Sequence, residues 1–68
     1  MKREEAMKKV WEMACEIAKT ENFGTMSELD TLALDYEIYV DWDDEGIHVE
    51  DDVVYFASWV EAHPELFR

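Results

Sequence analysis

The stretch Leu34-Asp35-Tyr36-Glu37-Ile38-Tyr39-Val40-Asp41-Trp42 sets Leu34, Tyr36, Ile38, Val40 and Trp42 against Asp35, Glu37, Tyr39 and Asp41. A two-residue repeat rich in aromatic and β-branched side chains predicts a strand with one buried face. Asp43-Asp44-Glu45-Gly46 follows, which is turn chemistry, with Gly46 able to take positive φ. Ile47-His48-Val49 then resumes the alternation. The reading is a β-hairpin over 34–42 and 46–50. Leu29, Leu32, Ala33, Tyr36, Tyr39 and Val40 also satisfy a helical stripe, but that would turn Leu34 and Ile38 to solvent. The strand is therefore preferred.

Working outward, residues 3–20 predict an amphipathic helix. Ala6, Met7, Val10, Trp11, Met13, Ala14, Ile17 and Ala18 share one broad arc at 100° per residue, and charged residues fill the rest. Gly24 suits a left-handed exit from it. Thr25-Met26-Ser27-Glu28 fits a capping box, so a short helical turn is expected over 25–32. On the far side of the hairpin a helix is expected from Asp52 to His63. Glu50, Asp51 and Asp52 would lie at its positive end, with Val53, Phe56, Ala57 and Val60 as its core stripe and Pro64 closing it. Leu66 and Phe67 should fold back over its end. The predicted fold is α+β, in the order α-β-β-α, one domain over 1–68, with both helices on the apolar face of a hairpin too small to stand alone.

Composition narrows the function. The 68 residues are 49% apolar with nine aromatics, a payload that disordered acidic tails lack. The single cysteine, Cys15, excludes an internal disulfide and favours a reducing, cytoplasmic setting; its spacing reads as a small buried hydrophobe. Charges begin at Lys2 and continue through Lys9, so neither a signal peptide nor a membrane span is expected. So short a chain leaves little room for a deep pocket, and no enzyme activity or cofactor is expected.

Charge is the most unusual property. The net is −12, yet five of the six cations (Lys2, Arg3, Lys8, Lys9, Lys19) precede Thr20, and the sixth is Arg68. Between Thr20 and Phe67 there is no lysine or arginine, against fourteen carboxylates. Soluble domains ordinarily intersperse both signs, because one-sign fields repel themselves. Such a surface predicts a strongly basic partner. On the expected hairpin, Asp35, Glu37 and Asp41 would share one face, on which alternate positions are about 6.6 Å apart, continued by Asp43, Asp44 and Glu45 and by Glu50, Asp51 and Asp52. That spacing is roughly that of a row of backbone phosphates. Trp42 would add an aromatic anchor. These ten residues form the candidate partner-binding site.

In size and charge the whole chain resembles the small acidic proteins that phages and mobile elements use against restriction and CRISPR systems. The resemblance is one of composition, without a shared motif. It implies an inhibitor that mimics DNA on the nucleic-acid-binding surface of a CRISPR effector, a restriction enzyme or another basic protein, acting in a bacterial cytoplasm and binding no nucleic acid itself. The alternative is a small acidic interaction module such as an antitoxin or adaptor. Two narrower resemblances stand beside it. Asp41, Asp43, Glu45, Gly46 and Asp52 stand at positions 1, 3, 5, 6 and 12 of a window that resembles an EF-hand loop. It departs from one in His48, in Asp52 where a bidentate Glu is usual, and in the strand-like segment before it. The 45–52 segment, with Asp30-Thr31-Leu32, is similar to acyl carrier proteins, with Thr31 in place of the modified serine. No zinc spacing is present, His48 and His63 read as structural, and no metal site is expected.

Overall fold

The computed structural model describes residues 1–67. The fold is α+β. Helix α1 (Arg3–Thr20) leads through a 3-10 turn (Phe23–Thr25) into α2 (Met26–Asp35). Strands β1 (Val40–Trp42), β2 (Gly46–Val49) and β3 (Asp52–Tyr55) form an antiparallel sheet in sequence order. Helix α3 (Ala57–Ala62) and a second 3-10 turn (Pro64–Leu66) follow.

Helix α1 follows its predicted stripe. Ala6, Val10, Ala14, Ile17 and Ala18 are buried, Met7 and Met13 partly so, and Trp11 sits at the rim. Its small residues bring α2 and the sheet close to the helix axis. The fully buried large side chains are Val10, Ile17, Leu29, Ile47 and Val49, one set drawn from α1, α2 and β2. Burial of side chains of this size is worth about 1.5–3 kcal/mol each. Cys15 is half-buried rather than fully enclosed.

Three parts of the predicted fold are corrected. First, the strand begins at Val40, not Leu34, because α2 runs on to Asp35 and stops in a Schellman arrangement. Ile38 N–H donates to Ala33 O at 2.8 Å and Glu37 N–H to Leu34 O at 3.2 Å, with Glu37 left-handed at φ 55°. Ile38 is thereby folded onto buried Ala33, the apolar contact that accompanies this motif, while Leu34 is left 79% exposed. Second, residues 52–55 are a third strand and not the start of a helix. The register pairs Val49 with Asp52, so Glu50-Asp51 is a two-residue turn, and Glu50 has φ 55°. The helix is shorter and starts at Ala57, with Phe56 buried and Val60 36% exposed. It stops before Pro64 as expected, and Phe67 folds back to meet Tyr55 at 4.9 Å. Third, neither expected cap forms. The left-handed exit from α1 is Glu21 (φ 53°), not Gly24, and Thr25 makes no side-chain cap bond.

Gly46 is required for a different reason from the one expected. Its φ is not positive, but a Cβ there would lie 2.2 Å from Val54 O and 2.8 Å from Tyr55 Cα. β2 and β3 approach too closely at that point for any side chain.

Both hairpins share one pair of faces. Val40, Ile47, Val49 and Val54 turn toward α1 and α2. Asp41, His48 and Val53 are aligned across the three strands on the other face.

Candidate functional site

The ten candidate residues are distributed differently from the predicted row. Of Asp35, Glu37 and Asp41, only Asp41 lies on a strand; Asp35 ends α2 and Glu37 is the left-handed residue after it. The two-residue spacing over 35–41 is therefore not built. The physical reason is the Schellman stop, which spends residues 36–39 on reversing the chain. The remaining acids gather instead at the two ends of β2. Asp43, Asp44 and Glu45 make the β1–β2 turn, and Glu50, Asp51 and Asp52 make the β2–β3 turn and open β3. Glu45 and Glu50 flank the four residues of β2, so the two groups are about 16 Å apart along it. Their fields overlap at 0.01 M salt, where the Debye length is about 30 Å, and are largely screened from each other at 0.1 M, where it is about 10 Å.

The first group is organised by Asp43. Its Oδ1 accepts from Glu45 N–H at 2.9 Å and Gly46 N–H at 3.3 Å, and its Oδ2 lies 3.0 Å from His48 Nε2. The Glu45 N–H above all, then the Gly46 N–H and His48, hold the Asp43 carboxyl below its ordinary value, with desolvation opposing them. Next to it, Tyr39 Oη donates to Asp41 Oδ2 at 3.4 Å, and the Asp41 charge pushes the phenol pKa up. Asp43, Glu45 and His48 bring one ligand atom each within 4.8 Å of one another, a donor set that a divalent ion can accept. Both Asp43 oxygens are already engaged, however, and the contacts that build the turn account for the grouping.

The second group is partly neutralised. Arg3 Nη2 meets Glu50 Oε1 at 2.6 Å, and the same guanidinium reaches Tyr36 O at 3.3 Å and Glu37 O at 3.4 Å. One arginine thus ties the start of α1 to the α2 exit and to the β2–β3 turn. Among the described residues this is the only lysine- or arginine-carboxylate pair within 4.0 Å. Sequence reading missed Arg3 because its partners are thirty or more residues away and two of them are carbonyls. It also missed the His48–Asp43 contact, although a turn at 43–46 folds position 48 back toward position 43.

Trp42 stands at the end of β1, 52% exposed, with its ring 5.2 Å from Phe23, which in turn meets Phe56 at 5.7 Å. The aromatic anchor is accessible beside the first acidic turn.

The EF-hand window falls on two strands and their turns rather than between two helices. Asp52, at its twelfth position, lies at the end of β2 opposite the Asp43–Gly46 turn. Thr31 lies inside α2 with its hydroxyl donating to Ser27 O at 2.8 Å, and 45–52 is hairpin. Among the described residues no helix is long and apolar enough to cross a membrane. Comparison with known protein families, characterised proteins and solved structures finds no match for this chain.

Proposed function

We propose that this small α+β domain is a non-enzymatic acidic ligand for a basic protein surface, of the kind that ordinarily binds nucleic acid. The observation that carries the reading is an uncompensated field: fourteen carboxylates in a cation-free run, with one lysine- or arginine-carboxylate contact among the described residues. Folding has no use for that excess, whereas a cationic groove releases bound counterions when it meets it. Asp41, Asp43, Asp44 and Glu45 beside exposed Trp42 form the stronger half of the surface, because among the described residues no arginine or lysine pairs with them. Glu50, Asp51 and Asp52 form the other half. A CRISPR effector or restriction enzyme is the partner class that the inhibitor reading implies, and a reducing cytoplasm suits the free Cys15.

A second reading has its own support. Because the acids sit in two groups and not in one row, an antitoxin- or adaptor-like contact with two basic patches fits the layout as well as imitation of a phosphate backbone does.

Affinity chromatography from a bacterial lysate at low salt tests the proposal. The expected eluate is a basic nucleic-acid-binding protein, released steeply as salt rises. Competition by duplex DNA is expected under mimicry and absent under the adaptor reading. The combined substitutions Asp41→Lys, Asp43→Lys and Asp44→Lys should abolish binding. Unchanged binding by a folded triple variant would refute the site.

A further inference from the structure

The sheet has two edges, and they are not alike. Phe56 N–H donates to Glu45 O at 3.0 Å, which makes 45–56 a hydrogen-bonded pair. Alternation along the antiparallel ladder then turns the backbone groups of Asp52 and Val54 toward β2 and those of Val53 and Tyr55 away from it. β3 pairs with β2 alone, and among the described residues no loop backbone or side-chain group meets the Val53 or Tyr55 amide. By the same alternation, Asp43 N–H to Gly46 O and Glu50 N–H to Tyr39 O turn Val40 and Trp42 outward on β1. There, however, Asp41 Oδ1 takes the Trp42 N–H at 2.8 Å, which blunts that edge. Among the described residues β3 has no such block. It reads Asp-Val-Val-Tyr, with neither lysine nor proline, and is rich in strand-forming residues. Proteins ordinarily guard an edge like this.

What can occupy it follows from charge. Each copy of the chain carries −12, so a second copy is repelled. Asp52 opens the strand on its inward face and Asp51 precedes it, so a strand added alongside gains most by placing a cation opposite Asp52. We propose that the free edge of β3 is a β-augmentation site for an extended, lysine- or arginine-bearing segment of a protein partner, paired through the Val53 and Tyr55 backbone. This inference rests on the acidic-ligand reading above and adds the element and the mode of contact. Main-chain bonds at Val53 and Tyr55 supply affinity, and Asp52 supplies the preference for a cation. The Val53 and Tyr55 side chains lie on the sheet face away from α1 and α2, where Phe67 already packs on Tyr55.

The test uses the full chain, labelled for amide NMR, and three probes at low ionic strength. One is a short peptide alternating valine and lysine. The second is the same peptide N-methylated at alternate backbone amides, with its charge intact. The third is polylysine. In the free chain the Val53 and Tyr55 amides should exchange fast and the Val54 amide slowly. The valine–lysine peptide should slow Val53 and Tyr55 exchange by about tenfold or more, and N-methylation should cost about tenfold in affinity, which is roughly 1.4 kcal/mol. Asp52→Lys should weaken the same peptide.

If Val53 and Tyr55 are already protected in the free chain, the edge is not free and the proposal fails. Equal binding of both peptides, or of polylysine alone, with no protection at Val53 and Tyr55 overturns the edge and leaves the acidic-ligand reading standing. Binding of none of the three overturns both. Concentration-dependent dimerisation that protects the same two amides would make a second copy the occupant and overturn the cationic partner.

Discussion

Glu21, Glu37 and Glu50 all adopt left-handed backbone, with φ between 53° and 55°. For a residue with a Cβ that conformation costs roughly 1–2 kcal/mol, and glycine or asparagine is the usual occupant. Here each glutamate sits at a reversal: the end of α1, the end of α2 and the β2–β3 turn. At Glu37 the side chain has no bonding partner among the described residues; only backbone is used, the N–H by Leu34 O and the carbonyl by Arg3. Glu37→Gly should therefore raise stability by about 1 kcal/mol after the flexibility it adds to the unfolded chain. In a domain of this size that is a rise of about 4–8 °C in Tm, read by thermal melting; a fall would mean that the residue is not left-handed. Asp43 gives a prediction of opposite character. Its folded pKa is depressed below the ordinary 3.8, so its contribution is present above the unfolded value and is lost as pH falls through the folded one. Its carboxyl carbon should titrate below free aspartate by NMR. Asp43→Asn should remove that part of the acid sensitivity while keeping an oxygen for the turn.

The elements were legible where side-chain period and conformation agreed, and were misread where those three glutamates intervened. α1 could be read because its apolar arc spans five turns. The Asp43–Gly46 turn could be read because Asp43 plays its usual part, accepting from the Glu45 and Gly46 amides, although Gly46 serves close strand packing and not a positive φ. The end of α2 was hidden: with glutamate at the left-handed position, nothing in residues 34–40 announces a stop, and the alternation there passes for a strand. Tertiary contact decided between the two periods, since folding Ile38 onto Ala33 buries it at the expense of Leu34. β3 was hidden twice, by a turn lacking glycine and by the helical spacing of Val53, Phe56, Ala57 and Val60. Its β-branched Val53-Val54 pair was the signal that weighed too little. Gly46 marks the point where β2 and β3 meet most closely, so Gly46→Ala is the test at this scale. The new methyl would strike Val54 O and Tyr55 Cα, which are backbone and cannot swing aside. A loss of about 2–3 kcal/mol is expected in denaturant unfolding, with the β2–β3 amides losing protection first.

Over the whole molecule, the acidic character was fully visible in the composition, but its arrangement was not, because arrangement depends on where the chain reverses. A field of −12 on 68 residues acts on the fold and on any partner through the same Coulomb term with opposite consequences. Within the chain the excess charges repel, and with only Arg3 set against Glu50 among the described residues, little offsets that repulsion. Added salt screens it, with a Debye length falling from about 30 Å at 0.01 M to about 3 Å at 1 M. Thermal stability should therefore rise with sodium chloride, by several degrees over that range. Affinity for a cationic partner should fall over the same range, because salt removes the gain from counterion release. Sulfate would strengthen burial by exclusion from the surface, so the melting series belongs in chloride. The triple change at Asp41, Asp43 and Asp44 to lysine moves the net charge toward zero and should flatten both curves together. A variant whose melting curve flattens while its binding still falls steeply would separate the two effects. It would place the partner contact on the Glu50–Asp52 turn at the other end of β2.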